Sequence, residues 1–239
     1  MEPGFGEAEG GVRTVLLEAV RATDEALRGL DRAERTADDD GRAELDRVRV
    51  EVRHAARMIL ESLLGMVEAE TGREGHARRV AATARSIAEA MGMPREQVIV
   101  LEEAARLHDV GELLLEWESL GEKRELAAST RRAMRRHPTI GERMLPTVGF
   151  DADACRIVGA HHERLDGSGY PDRLSGEATP LGAQVLAVAE TFEALTNARP
   201  HRPAIPSSEA LQRLRNEAIA GRLNKQAIEV LAGLTNGSA

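Results

Sequence analysis

Five of the seven histidines in this 239-residue chain open or close an apolar helical stripe. His76 shares a face with Val80, Ala84, Ile87 and Met91, and the stripe Val98, Leu101, Ala105 leads to His108. His161 continues Ala154 and Val158, on a helix that Asp151 can cap. His162 is turned roughly 100° from it by the helical period. His137 precedes Pro138 at a junction, because a residue before proline is pushed out of helical geometry. Whatever fold takes these faces inward carries several imidazoles into an apolar interior, where each ring nitrogen needs a partner.

The remaining punctuation is helical too. Gly92 closes one helix and Pro94 opens the next. Pro180 starts a long helix with Leu181, Val185, Val188, Phe192 and Leu195 on one face. Its other face, Ala183, Leu186, Ala187, Glu190 and Ala194, is also nearly apolar. An unpaired Glu190 there would be costly, so a cation is its natural partner, with a protonated or arginine-paired glutamate as the alternative. Ser207 or Ser208 is expected to cap a helix through Leu214, and a last helix covers Ala227 to Leu234. Aromatic residues make up only 2% of the chain, so aliphatic side chains, Ala and Met must fill the core. With no strand-like alternation long enough for a sheet, the expected class is all-α, a helical bundle with an N-terminal helical hairpin or extension.

Residues 1–10 read as a disordered tail and 235–239 as a frayed one. Residues 11–65 form an N-terminal helical region, with a heptad-like seam through Leu45, Val48, Val52, Ile59, Leu63 and Met66. That seam either packs on the main domain or makes a hairpin that dimerises or relays a signal. His54 reads as a surface histidine. The polar stretch Glu116 to Glu125, with Trp117, reads as a loop or broken helix, and Arg131, Arg132, Arg135 and Arg136 form a basic helix. The net charge of −8 argues against a general nucleic-acid binder. A single cysteine, no signal peptide and no apolar run near the roughly 20 residues of a membrane span lead to the expectation of a cytoplasmic chain.

His76, His108, Asp109, His137, His161, His162 and Glu190 are all imidazole or carboxylate, a set suited to iron, manganese, zinc or similar ions. Seven donors are too many for one ion and right for two, with Asp109 able to bridge. Two ions roughly 3.5–4 Å apart activate water and clamp phosphoryl oxygens. The expected reaction is hydrolysis of a phosphate ester by metal-activated hydroxide, with His108 and Asp109 at its centre.

His108-Asp109-x-Gly111, His137-Pro138, the run from His161-His162-Glu163 to Gly169-Tyr170-Pro171, and Arg199-Pro200 resemble the HD-GYP family, a branch of the HD phosphohydrolase superfamily. The resemblance covers roughly residues 66–234. It implies an all-helical fold, two or three metal ions, and hydrolysis of cyclic di-GMP to pGpG or GMP. By position it makes His76, His108, Asp109, His137, His161 and His162 metal ligands. It sets Gly169, Tyr170 and Pro171 beside the substrate and Arg199 and Arg202 near its phosphates.

Several positions depart from the family pattern. Glu190 stands where Asp is usual, and Glu112 where a phosphate-contacting Lys is usual. A charge pair at about 4 Å is worth about 4 kcal/mol at an effective dielectric of 20, so Glu112 would weaken substrate binding unless it turns away. His201 replaces a common Tyr, and Leu223-Asn224-Lys225 a typical Phe-Asp-Pro. Gly72 stands where trimetal members carry Glu, which favours two ions. Three readings follow: an active cyclic di-GMP phosphodiesterase, a weakly active or inactive sensing or protein-interaction module, and a phosphohydrolase for another phosphate ester.

Overall fold

A computed structural model describes residues 5–115, 132–199 and 202–236. The order is α1 (Phe5–Glu34), α2 (Asp39–Glu70), α3 (His76–Ala90), α4 (Arg95–Arg106), a 3₁₀ helix (Val110–Leu114) and α5 (His137–Met144). A second 3₁₀ helix (Leu145–Val148), α6 (Ala152–Ala160), a third (Gly176–Ala178), α7 (Leu181–Thr196), α8 (Ser207–Ile219) and α9 (Lys225–Asn236) complete it. Among the described residues there is no strand, only the isolated bridges Asp166–Ser175 and Arg199–Arg202. The all-α expectation holds. Trp117, Arg131, Pro200 and His201 lie outside the described residues.

Local chemistry sets most boundaries. Asp38 accepts from Gly41 N at 2.9 Å to start α2, and Asp151 accepts from Asp153 N at 2.7 Å to start α6. Gly92, at φ +72°, ends α3, and Pro94 precedes α4. Three expectations are corrected. The helix α1 begins at Phe5, inside the tail expected to be disordered, because propagating an existing helix adds a hydrogen bond per residue. His137 is the first residue of α5 rather than a residue ahead of it, since a first-turn Pro138 removes no intrahelical bond. Neither serine caps α8: the preceding residue is Pro206, whose carbonyl takes the first helical bond from Ala210 at 3.0 Å.

The core is one apolar cluster. α3 packs on α4 and α7, α4 on α6, and α6 on α5, while α8 and α9 close over α7 and α3. α7 is buried nearly all round through Val185, Leu186, Ala187, Val188 and Ala189, as its two apolar faces require. The N-terminal pair joins this cluster: Val12, Leu16, Leu60, Leu63 and Val67 are buried in it. Each fully buried leucine contributes roughly 1.5–3 kcal/mol. Arg49 ties the two long helices together, reaching Asp31 at 3.0 Å and Glu34 at 2.9 Å. α2 runs unbroken past residue 65, so packing has no break where the N-terminal region was expected to end. Two residues of the seam, Ile59 and Met66, remain exposed, as do Val50 and Met58 beside it.

Candidate metal centre

Each histidine reaches the centre from an element end. His76 opens α3, His108 and Asp109 follow α4, His137 opens α5, and His161 and His162 follow the last turn of α6. Gly111 makes one close approach possible. A Cβ there would stand 2.1 Å from the His137 carbonyl oxygen, so only glycine lets α5 start against the Asp109 turn.

Asp109 is the hub. Its Oδ1 lies 3.3 Å from His137 Nε2 and 4.0 Å from His161 Nε2, and its Oδ2 lies 3.4 Å from His108 Nε2 and 3.9 Å from His76 Nε2. All five residues are buried. The rings of His161 and His162 are 4.1 Å apart, and His162 Nδ1 is 3.8 Å from Glu190 Oε2. The expected ligands therefore converge, with Glu190 on the His162 side.

The outer ring nitrogens determine what the inner ones are. The Nδ1 atoms of His108, His137 and His161 lie 2.8, 2.7 and 2.6 Å from the carbonyls of Ala105, Met134 and Val158, three residues back in each case. A carbonyl only accepts, so each Nδ1 donates, and each ring presents an Nε2 lone pair inward when it is neutral, as a metal ligand must be. His137 Nε2 and His161 Nε2 face one another at 3.1 Å, and with both Nδ1 atoms donating to carbonyls a neutral ring on either side has no proton to offer this contact. His108 Nε2 is buried and makes no hydrogen bond. Lone pairs aimed at one another in a buried pocket call for a cation, and the nitrogen–oxygen set fits a divalent metal ion.

Two triples each offer three donor atoms within 4.8 Å of one another: His76, His108 and Asp109, and His137, His161 and His162. A third is Asp109, Glu112 and His137. Burial would raise the Asp109 carboxyl, but His108, His137 and Arg73 outweigh it and hold the group well below the usual range. Burial, helped by the neighbouring imidazoles, holds His161 well below its ordinary value, and burial pushes His162 down to about 4. Both rings are thus neutral and their lone pairs open. Glu190 is lowered as well, its burial outweighed by His162 and His108.

Four surrounding side chains went unassigned in the sequence. Glu193, one helical turn after Glu190, places Oε2 2.5 Å from His76 Nδ1, while Arg79 grips its other oxygen at 3.0 and 2.7 Å. The three-residue spacing from Glu190 was the signal that could have found it. Arg73 places Nη1 3.1 Å from Asp109 Oδ2 and pairs through Nη2 with Glu112 Oε2. The buried Glu163 accepts from Asp172 N at 2.7 Å and Leu174 N at 3.1 Å, which pins the loop after the double histidine. In that loop a Cβ on Gly169 would stand 2.4 Å from Arg164 N, and the Tyr170–Pro171 bond is cis. Tyr170 lies 4.8 Å from the His162 ring, with the Arg135 guanidinium 5.1 Å over its face.

Three residues expected at the substrate have partners within the chain. Arg199 stands 3.7 Å from Glu193. Arg202 donates to the Ala194 carbonyl of α7, because the Arg199–Arg202 bridge folds it back on that helix end. Glu112 is buried against Arg73, so its charge is compensated on the spot instead of facing a phosphate.

A family model described as HD domain matches residues 60–225. The chain is 38% identical over 164 residues to the cyclic di-GMP phosphodiesterase response regulator RpfG of Xanthomonas campestris pv. campestris, covering 67% of this chain and 43% of that protein. It is 35% identical over 156 residues to the 3'3'-cGAMP-specific phosphodiesterase 1 of Vibrio cholerae, covering 65% of this chain and 36% of that one. The chain thus spans less than half the length of either relative. Among solved structures, Bd1817, an HDG"Y"P protein from Bdellovibrio bacteriovorus, shares the fold with a TM-score of 0.59 at 15% identity, over 94% of this chain and 72% of that one. No helix among the described residues is long and apolar enough to cross a membrane.

Proposed function

Because the chain belongs to the HD domain family, in its HD-GYP branch, we propose that its buried histidine–aspartate centre is the active site of a metal-dependent phosphodiesterase acting on cyclic dinucleotides. The observation that carries this reading is the 3.1 Å approach of two inward-facing imidazole nitrogens beside Asp109. Divalent ions bound there would supply Lewis acidity to the phosphoryl oxygens and activate a water. The two histidine triples and the shared Asp109 support two ions, of iron, manganese or a similar metal.

The chain's own residues do the rest. Three carbonyl-anchored histidines hold their lone pairs inward without rotation, and Glu193 does the same for His76. Asp109, held ionised beside the Arg73 guanidinium and the imidazoles, spans both donor sets. The Gly169–Pro171 loop, fastened by Glu163, sets Tyr170 and Arg135 over the His162 side, a flat cationic face that suits a nucleobase or phosphate. Within the cyclic dinucleotides our reading is cyclic di-GMP, cut to pGpG or GMP. The exposed apolar residues of α2 support pairing of two chains through the N-terminal helices.

The test is an anaerobic preparation assayed together for bound metal and for cleavage of cyclic di-GMP, 3'3'-cGAMP and a simple phosphate ester. Metal-dependent cleavage of a cyclic dinucleotide is expected. Bound metal without any cleavage would make the chain a binding module. Cleavage of the simple ester alone would make it a different phosphohydrolase.

A further inference from the structure

The Asp109, Glu112 and His137 triple has the donor geometry of a third cation site, and a cation of the chain's own lies against it. Arg73, from the turn between α2 and α3, reaches both carboxylates with one guanidinium: Nη1 to Asp109 and Nη2 to Glu112. The arginine is itself largely buried, with 15% of its side chain exposed. Its Nε is tied to Thr71 Oγ1 at 3.2 Å, which fixes the fork in register with the two acids. A buried guanidinium binding two carboxylates satisfies the charge that a metal ion would otherwise satisfy, and it cannot dissociate or deprotonate.

We infer that Arg73 is a built-in cation that closes the Asp109–Glu112–His137 position to metal and so limits how many ions the centre takes up. The inference rests on the two-ion reading above and deepens it. It also explains why Glu112 is tolerated beside Asp109: one guanidinium lies against both acids and offsets their mutual repulsion. Arg73 is a positioning residue here, acting on the site's composition rather than on a reacting atom.

The experiment is equilibrium dialysis against Mn²⁺ followed by elemental analysis, on the full chain and on Arg73→Gln, Arg73→Lys and Arg73→Gln/Glu112→Gln, each checked for helical content by circular dichroism. Arg73→Gln should take up one more ion per chain than the parent. Arg73→Lys, which keeps a charge but not the fork, should take up no more metal than Arg73→Gln, and the double variant should lose the extra ion. Parent crystals soaked in Mn²⁺ should show anomalous peaks at the histidines and none between Asp109 and Glu112. A folded Arg73→Gln with the parent's stoichiometry, or an anomalous peak between the two acids in the parent, overturns the inference while leaving the metal-centre reading intact. A parent chain that takes up no metal at all overturns both.

Discussion

Glu193 and Asp109 stand at opposite edges of the His76 ring: Glu193 Oε2 is 2.5 Å from Nδ1, and Asp109 Oδ2 is 3.9 Å from Nε2. The carboxylate behind the ring sets its tautomer and raises its basicity toward anything bound in front. Glu193→Gln removes the charge and keeps the shape. It should weaken Mn²⁺ binding by about 10–100-fold, measured by calorimetry. Unchanged affinity would mean that His76 is not a ligand.

Asp109 is within 4.0 Å of four imidazoles and so joins both halves of the site. Asp109→Ala should abolish both metal uptake and metal-dependent turnover. Full activity in this variant would sink the proposed mechanism.

Glu112→Lys looks from sequence like restoration of a phosphate-binding residue. The structure reverses that expectation, because the new ammonium would be buried facing Arg73. Breaking a buried ion pair and adding a like charge should destabilise the chain by about 3–5 kcal/mol, read from the urea midpoint. An unshifted midpoint would show that residue 112 can leave the pocket.

Gly111→Ala tests the close approach that seats α5. The added Cβ would meet the His137 carbonyl oxygen at 2.1 Å, and backbone cannot yield as a side-chain tip can. Overpacking of about 1–3 kcal/mol is expected, together with lower metal affinity as His137 shifts. Parent-like stability and metal binding together would contradict this geometry.

The chelator-treated protein should lose stability in mild acid. Burial holds folded His162 at about 4, against 6.5 when exposed. The unfolded chain therefore binds more protons between those values, and stability falls as pH falls through that window. His162 alone accounts for on the order of 3 kcal/mol, fully present above about pH 6.5 and lost by about pH 4. Thermal melts across pH 4–7 measure it. An NMR titration of the His162 ring separates it from His108, whose raised value works in the opposite direction, and a His162 midpoint near 6.5 would mean that the ring is solvated.

The helical class, the Gly92–Pro94 break, the Asp151 cap and the inward stripes of α3, α4 and α7 were legible in the sequence. Each is a property of residues within a turn or two of one another, where period and capping act directly. The chemical type of the site was legible as well, since five histidines on helix ends and an adjacent Asp109 restrict the ligands to nitrogen and oxygen.

Tertiary structure alone decided who partners whom. Arg73 and Glu112 are 39 positions apart, and His76 and Glu193 are 117 apart. No local spacing encodes either pair, because helix packing sets which side chains meet across such distances. Ligand identity was carried by residue type and short-range pattern, whereas the charge balance around the ligands came from how α2, α3, α4 and α7 close on one another.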